Sequence, residues 1–153
     1  MRLTSAPGRP DSEAAWLTLA DSTKKALKNA KQQGWKIAIV ANGTMTQQNL
    51  KIQKVGLDPY VDAVVTSEAV GVKKPDPKIF HIAAQRLHSE VTGGWMVGDH
   101  PTADISGGQA AGLETIWVSR GMKWPAEVRF PTLIAPTAAE VINAVVRRGT
   151  LAS

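Results

Sequence analysis

The stretch MVGDHPTADISGGQAAGLETIWV, residues 96–118, decides the fold. A short apolar run ends at Gly98-Asp99, a second acid follows at Asp104, a segment of small residues closes at Gly112, and ETIWV resumes the apolar pattern. Short apolar runs of this kind suit strands buried on both faces, and the small residues between them suit a helix lying close against those strands. The spacing predicts strand, acidic loop, helix and strand. Asp99 then follows a buried strand directly, and Asp104 opens the next helix.

Working outward, the same alternation fills the chain. WKIAIV, residues 35–40, DAVVT, 62–66, WMV, 95–97, and ETIWV, 114–118, read as buried strands, with TLI, 132–134, as a short fifth strand at an edge. Between them lie helical patterns: one near Glu13–Leu19, one capped by Asp21 or Ser22 and stopped at Gly34, and one capped by Thr46 and ended by Gly56. Asp76 and Pro77 start another, running to about Leu87, and Thr137 with Glu140 forms a capping box for a last helix striped by Val141, Ile142, Val145 and Val146. Strands alternating with helices predict an α/β domain, a parallel Rossmann-like sheet flanked by helices, spanning residues 12–150. Residues 1–11, rich in Pro, Gly and Ser, read as a loose N-terminal arm.

Bulk composition narrows the function classes. The 153 residues are 43% hydrophobic and 20% charged, without low-complexity segments. With no cysteine, neither disulfides nor a thiolate zinc site is available, which fits a cytoplasmic protein. No apolar run reaches the ~20 residues of a membrane span, and MRLTSAPGRP lacks the apolar core of a signal peptide. The net charge of +5 raises nucleic acid as a partner. However, Lys24, Lys25, Lys28 and Lys31 fit a solvated helix face, unaccompanied by aromatic or glycine-rich elements, so nucleic acid is not expected.

In a parallel sheet, ligands collect at the carboxyl ends of the strands. Ala41-Asn42-Gly43-Thr44, Gly71-Val72-Lys73-Lys74-Pro75 and the Gly98–Asp104 loop should therefore meet at one rim. Asp99 and Asp104 offer hard oxygen ligands for a magnesium ion, which takes one or two protein carboxylates and fills its shell with water and phosphate oxygens. As a purely local reading, Asp104 caps a helix and Asp99 orders a turn. Lys74, ahead of Pro-Asp-Pro, sits where its ammonium holds a phosphate, neutralises a carboxylate, or simply meets solvent. Asn42-Gly43-Thr44 is either a modest anion nest or an ordinary turn.

Taken together, IVANG-TMTQQNLKI, GVKKPDPKIF and MVGDHPTADISGGQAAGLETIWV resemble motifs II, III and IV of the haloacid dehalogenase-like hydrolases, most closely the small phosphatase-type members, over roughly residues 20–120. The resemblance implies a magnesium ion at Asp99, with Asp104 as supporting acid. It implies a phosphate site formed by Ala41, Asn42, Gly43 and Lys74, with Lys74 also steadying the nucleophile. Where the family's motif II carries threonine or serine, this chain has Ala41, at a cost of about 1.5–3 kcal/mol for one lost charge-assisted hydrogen bond.

The family's motif I, a DxDGT-type stretch bearing the nucleophilic aspartate and the general acid, finds no match in residues 1–40. Asp11 and Asp21 follow no apolar strand, and neither has an acid two residues on. The resemblance therefore implies a core without its usual first central strand, beginning after both motif I and the cap insertion. Three repairs of the gap follow: direct pairing of the flanking strands, insertion of the N-terminal arm despite Pro7 and Gly8, or a strand from a partner chain or second copy. Functionally, the expectation is a pseudoenzyme binding a phosphorylated small molecule or a partner. The alternative is a magnesium-dependent phosphatase completed by another chain, or a changed activity at Asp99, Asp104, Lys74 or His100. A third reading is an interaction module, with Trp16 and Trp124 as the tryptophans best placed for an interface and Trp35, Trp95 and Trp117 in the core.

Overall fold

A computed structural model describes residues 2–5 and 13–152. Its element order is β1 (Arg2–Ser5), α1 (Glu13–Gln32), β2 (Ile37–Ala41), α2 (Met45–Val55), β3 (Ala63–Thr66), α3 (Ser67–Val70), α4 (Lys78–Arg86), β4 (Trp95–Gly98), α5 (Gly107–Ala111), β5 (Glu114–Val118), β6 (Leu133–Ala135) and α6 (Ala138–Ala152). A short 3-10 turn spans Asp58–Tyr60, and a π-helical segment, Pro101–Ser106, leads into α5.

The strands form a six-stranded sheet in the order β3-β2-β1-β4-β5-β6, parallel throughout. Alternation along β2 explains how it is sandwiched. Ile37, Ile39 and Ala41 pack into one layer with Ala26, Leu27 and Ala30 of α1, Ile52 of α2, and Ile142 and Val146 of α6. Ala38 and Val40 pack on the other side with Ile79, Phe80 and Ala83 of α4. Val97, Ile116 and Val118 extend the core against Val141 and Val145. A polar clamp fixes the start of β2: one oxygen of Asp62 accepts the Ile37 N–H at 2.7 Å, and the other meets Lys31 Nζ at 2.5 Å.

The N-terminal segment departs from expectation. Of the three repairs for the central gap, the structure takes the second: Arg2–Ser5, part of the arm expected to be loose, lies between β2 and β4, with Thr4 opposite Ile39 on one side and Val97 on the other. The sheet is continuous where a missing central strand was expected, and no partner chain is needed to fill that slot. The remainder of the arm, residues 6–12, lies outside the described residues.

Helix boundaries differ more modestly. The two helices expected before Gly34 are one, because Asp21 is exposed on α1 and does not begin a new element. Thr44, not Thr46, caps α2, accepting the Gln47 N–H at 3.2 Å from an extended conformation. At α4 the Asp76 carboxylate accepts the Lys78 N–H at 3.0 Å, and Thr137 Oγ1 accepts the Glu140 N–H at 3.3 Å. Among the described residues, no helix is long and apolar enough to cross a membrane.

Candidate functional site

Because every strand is parallel, the carboxyl ends of β2, β1, β4 and β5 share one rim. The three predicted loops meet there through specific bonds. Lys74 is buried, and its Nζ lies 2.5 Å from Asp104 Oδ1, with side-chain exposures of 7% and 2%. The other Asp104 oxygen accepts the His100 N–H at 3.1 Å. Of the options for Lys74, the structure takes carboxylate neutralisation, since taking either charge out of water alone would be costly.

Asn42 joins the first loop to the second. Its side-chain oxygen accepts the Lys74 N–H at 2.8 Å, and its Nδ2 donates to the Lys74 carbonyl at 3.0 Å. This two-way clamp holds the Lys74 main chain beside the cis Lys74–Pro75 bond. Gly43 N–H, named above as a phosphate donor, donates to Ser67 Oγ at 2.9 Å. Ala41 is buried among α1, α2 and α6. The motif II loop thus spends its side-chain amide and one amide proton on positioning its neighbours.

Close approach explains the small residues of the opening stretch. A side-chain carbon at Gly98 would overlap the Asp104 carboxylate. One at Gly107 would meet Phe80 at 2.9 Å and Pro75 Cα at 3.0 Å, and one at Gly108 would crowd Met96 and Thr115. Glycine at these places lets the acidic loop and α5 settle onto the sheet.

The two acids are placed very differently. Asp104 sits on the π-helical segment Pro101–Ser106, not at the first residue of a regular helix, and both its oxygens are engaged. Asp99 is half-exposed. Its main-chain carbonyl accepts the Trp117 indole N–H at 2.8 Å, and its carboxylate lies 3.7 Å from Arg120 Nη2. His100 is a cap: Nδ1 accepts the Thr102 and Ala103 N–H groups at 3.2 and 3.0 Å. A neutral imidazole accepting at Nδ1 carries its proton on Nε2.

This donor set fits a magnesium ion at Asp99 with water and ligand oxygens completing the shell, the usual pattern for an ion that takes few protein carboxylates. Asp104 would act from behind, by fixing Lys74 and the loop. Among the described residues, no cluster of three or more metal-binding side chains forms.

Arg120, Trp117 and Ser67 were not singled out as site residues. The signal for Arg120 was its position just beyond ETIWV, since strand ends in this sheet face the ligand side. Trp124 packs edge-on against Trp117 at 5.0 Å and near Phe130 at 6.0 Å, while its indole donates to the Val128 carbonyl. Trp16's side chain lies outside the described residues.

Comparisons with known proteins agree with this geometry. The chain is 42% identical over 100 residues to ribulose-1,5-bisphosphate 5-phosphatase from Halopiger xanaduensis, covering 65% of this chain and 42% of that protein. It is 40% identical over 95 residues to the pyrimidine 5'-nucleotidase YjjG of Escherichia coli, covering 61% and 42%. Its fold matches the HAD-hydrolase YfnB from Bacillus subtilis, solved bound to magnesium, with a TM-score of 0.73 and 31% identity over 82% of this chain and 55% of that one. The chain thus spans less than half the length of these curated relatives. The family description "haloacid dehalogenase-like hydrolase" matches residues 11–112, and with the motif geometry above, the chain belongs to the haloacid dehalogenase-like hydrolases.

Proposed function

We propose that the rim binds the phosphoryl group of a small-molecule phosphate ester together with a magnesium ion at Asp99. The observation that carries this reading is the buried Lys74–Asp104 pair, held from Asn42 and set beside the half-exposed Asp99. A buried ion pair is a weak source of stability, because desolvation offsets most of its attraction. Its effect here is geometric, fixing the two loops that flank Asp99. The phosphatases among the relatives support phosphate esters as the ligand class, and the magnesium-bound relative supports the ion. When bound, magnesium would neutralise and orient phosphoryl oxygens. The α2 N-terminus would supply the protein's share of anion binding, joined by Lys74 through the ammonium protons that it does not spend on Asp104.

The chain as it stands has no carboxylate between Met1 and Pro10, and its central strand, Arg2–Ser5, therefore brings none to the rim. We read it as binding the ligand without forming an aspartyl-phosphate. Hydrolysis completed by an aspartate-bearing strand from another polypeptide would require that strand to displace Arg2–Ser5 from between β2 and β4.

The test is a magnesium-dependent assay on p-nitrophenyl phosphate, with Asp99→Asn in parallel, combined with calorimetric titration of inorganic phosphate plus magnesium. The expected result is no turnover by either protein, with phosphate bound by the wild type and lost in the variant. Turnover abolished by Asp99→Asn would return the chain to the enzymes. Failure of the wild type to bind phosphate or metal would remove the binding reading.

A further inference from the structure

The turn after β5 presents a cation to Asp99, and its construction is specific. Arg120 takes a left-handed backbone conformation, φ +50°, uncommon outside glycine, and is followed by Gly121 at φ +81°. The turn is closed by the Met122 N–H donating to the Ser119 carbonyl at 2.9 Å, and Ser119 N–H is tied to the Ala135 carbonyl at 2.9 Å. Beneath it, Trp117 holds the Asp99 carbonyl and carries Trp124 edge-on. The side that delivers Arg120 and the side that anchors Asp99 are thus braced by the same strand.

The pair itself is loose. At 3.7 Å it lies beyond hydrogen-bonding distance, and both side chains are about one-third exposed. The contrast with Lys74 is direct, since that ammonium is buried against its carboxylate at 2.5 Å. Among the described residues, Arg120 is the cation paired with Asp99, while Lys74 and Asp104 compensate each other.

We propose that Arg120 is an internal counter-cation for Asp99, competing with the divalent ion for the carboxylate and setting its affinity. This rests on the reading of Asp99 as the metal ligand. A metal entering the site must displace or repel the guanidinium. Two like charges a few ångströms apart in a solvent-facing site oppose each other appreciably, and salt screens the effect.

The experiment uses Mn2+ as probe, with free ion counted by electron paramagnetic resonance, on wild type, Arg120→Gln, Arg120→Lys and Asp99→Asn at low and high KCl. Arg120→Gln should lower the Kd for Mn2+ about threefold to tenfold at low salt, with the gap narrowing at high salt. Arg120→Lys, which keeps the charge, should stay within about twofold of wild type, separating charge from any general loosening of the turn. Unchanged or weaker Mn2+ binding in Arg120→Gln, with binding still lost in Asp99→Asn, would overturn the counter-cation proposal and leave the metal site standing. Binding that is absent in wild type, or indifferent to Asp99→Asn, would overturn the metal reading and the proposal together.

Discussion

Asp99 and Asp104 leave the same loop, yet one is built into the protein and the other is left at its edge. Asp104 is enclosed, with one oxygen on Lys74 and the other on the His100 amide, and Gly98 is emptied of a side chain to make room for it. Asp99 has a main chain pinned by Trp117 and, among the described residues, a carboxylate paired only with the distant Arg120. The same functional group serves as framework in one place and as an available ligand in the other, and the difference lies in how completely each carboxylate is satisfied by the protein.

The largest test of that contrast is removal of each carboxylate in turn. Asp104→Ala strands a buried ammonium and should cost about 3–5 kcal/mol in urea denaturation, whereas Asp99→Ala should cost under about 1 kcal/mol. Equal losses would collapse the distinction. Next comes Gly98→Ala, which forces a methyl group into the Asp104 carboxylate and should cost about 1–3 kcal/mol. Asn42→Ala removes both bonds to the Lys74 main chain and should cost about 1–2 kcal/mol. It should also weaken phosphate binding in calorimetry, because Lys74 loses its tether. At the small end, Arg120→Gln should leave the unfolding free energy within about 0.5 kcal/mol of wild type. A larger loss would mean that the edge pair, too, is framework.

The sequence made the strand-loop-helix rhythm legible because short apolar runs can be buried only in a few ways. Residues 114–118 match the observed strand and Thr137 accepts the Glu140 N–H as a cap should, whereas at α4 Pro77 takes the cap position and Asp76, one residue earlier, accepts the Lys78 N–H. The three rim loops were legible for the same reason, since strand polarity alone brings them together. Other features were not. RLTS is short and half polar, so nothing local marks it as a central strand; its place follows from the vacancy between β2 and β4. Asp21 carried a good capping signal, but it lies exposed within the continuous helix Glu13–Gln32. The partner chosen by Lys74 lies thirty residues away, and sequence left that choice open.

The place of β1 also bears on the order in which the molecule can assemble. It precedes both of its neighbours in the chain, with Arg2 paired to Ile37 on one side and Trp95 on the other. During synthesis at about 5–20 residues per second, its second neighbour arrives on the order of ten seconds after it. Until then the strand has one exposed edge. The middle of the sheet is thus completed late, and contacts of such long sequence separation favour slow folding. The residues that seat β4, rather than those of β1 itself, would therefore govern when the rim first comes into being.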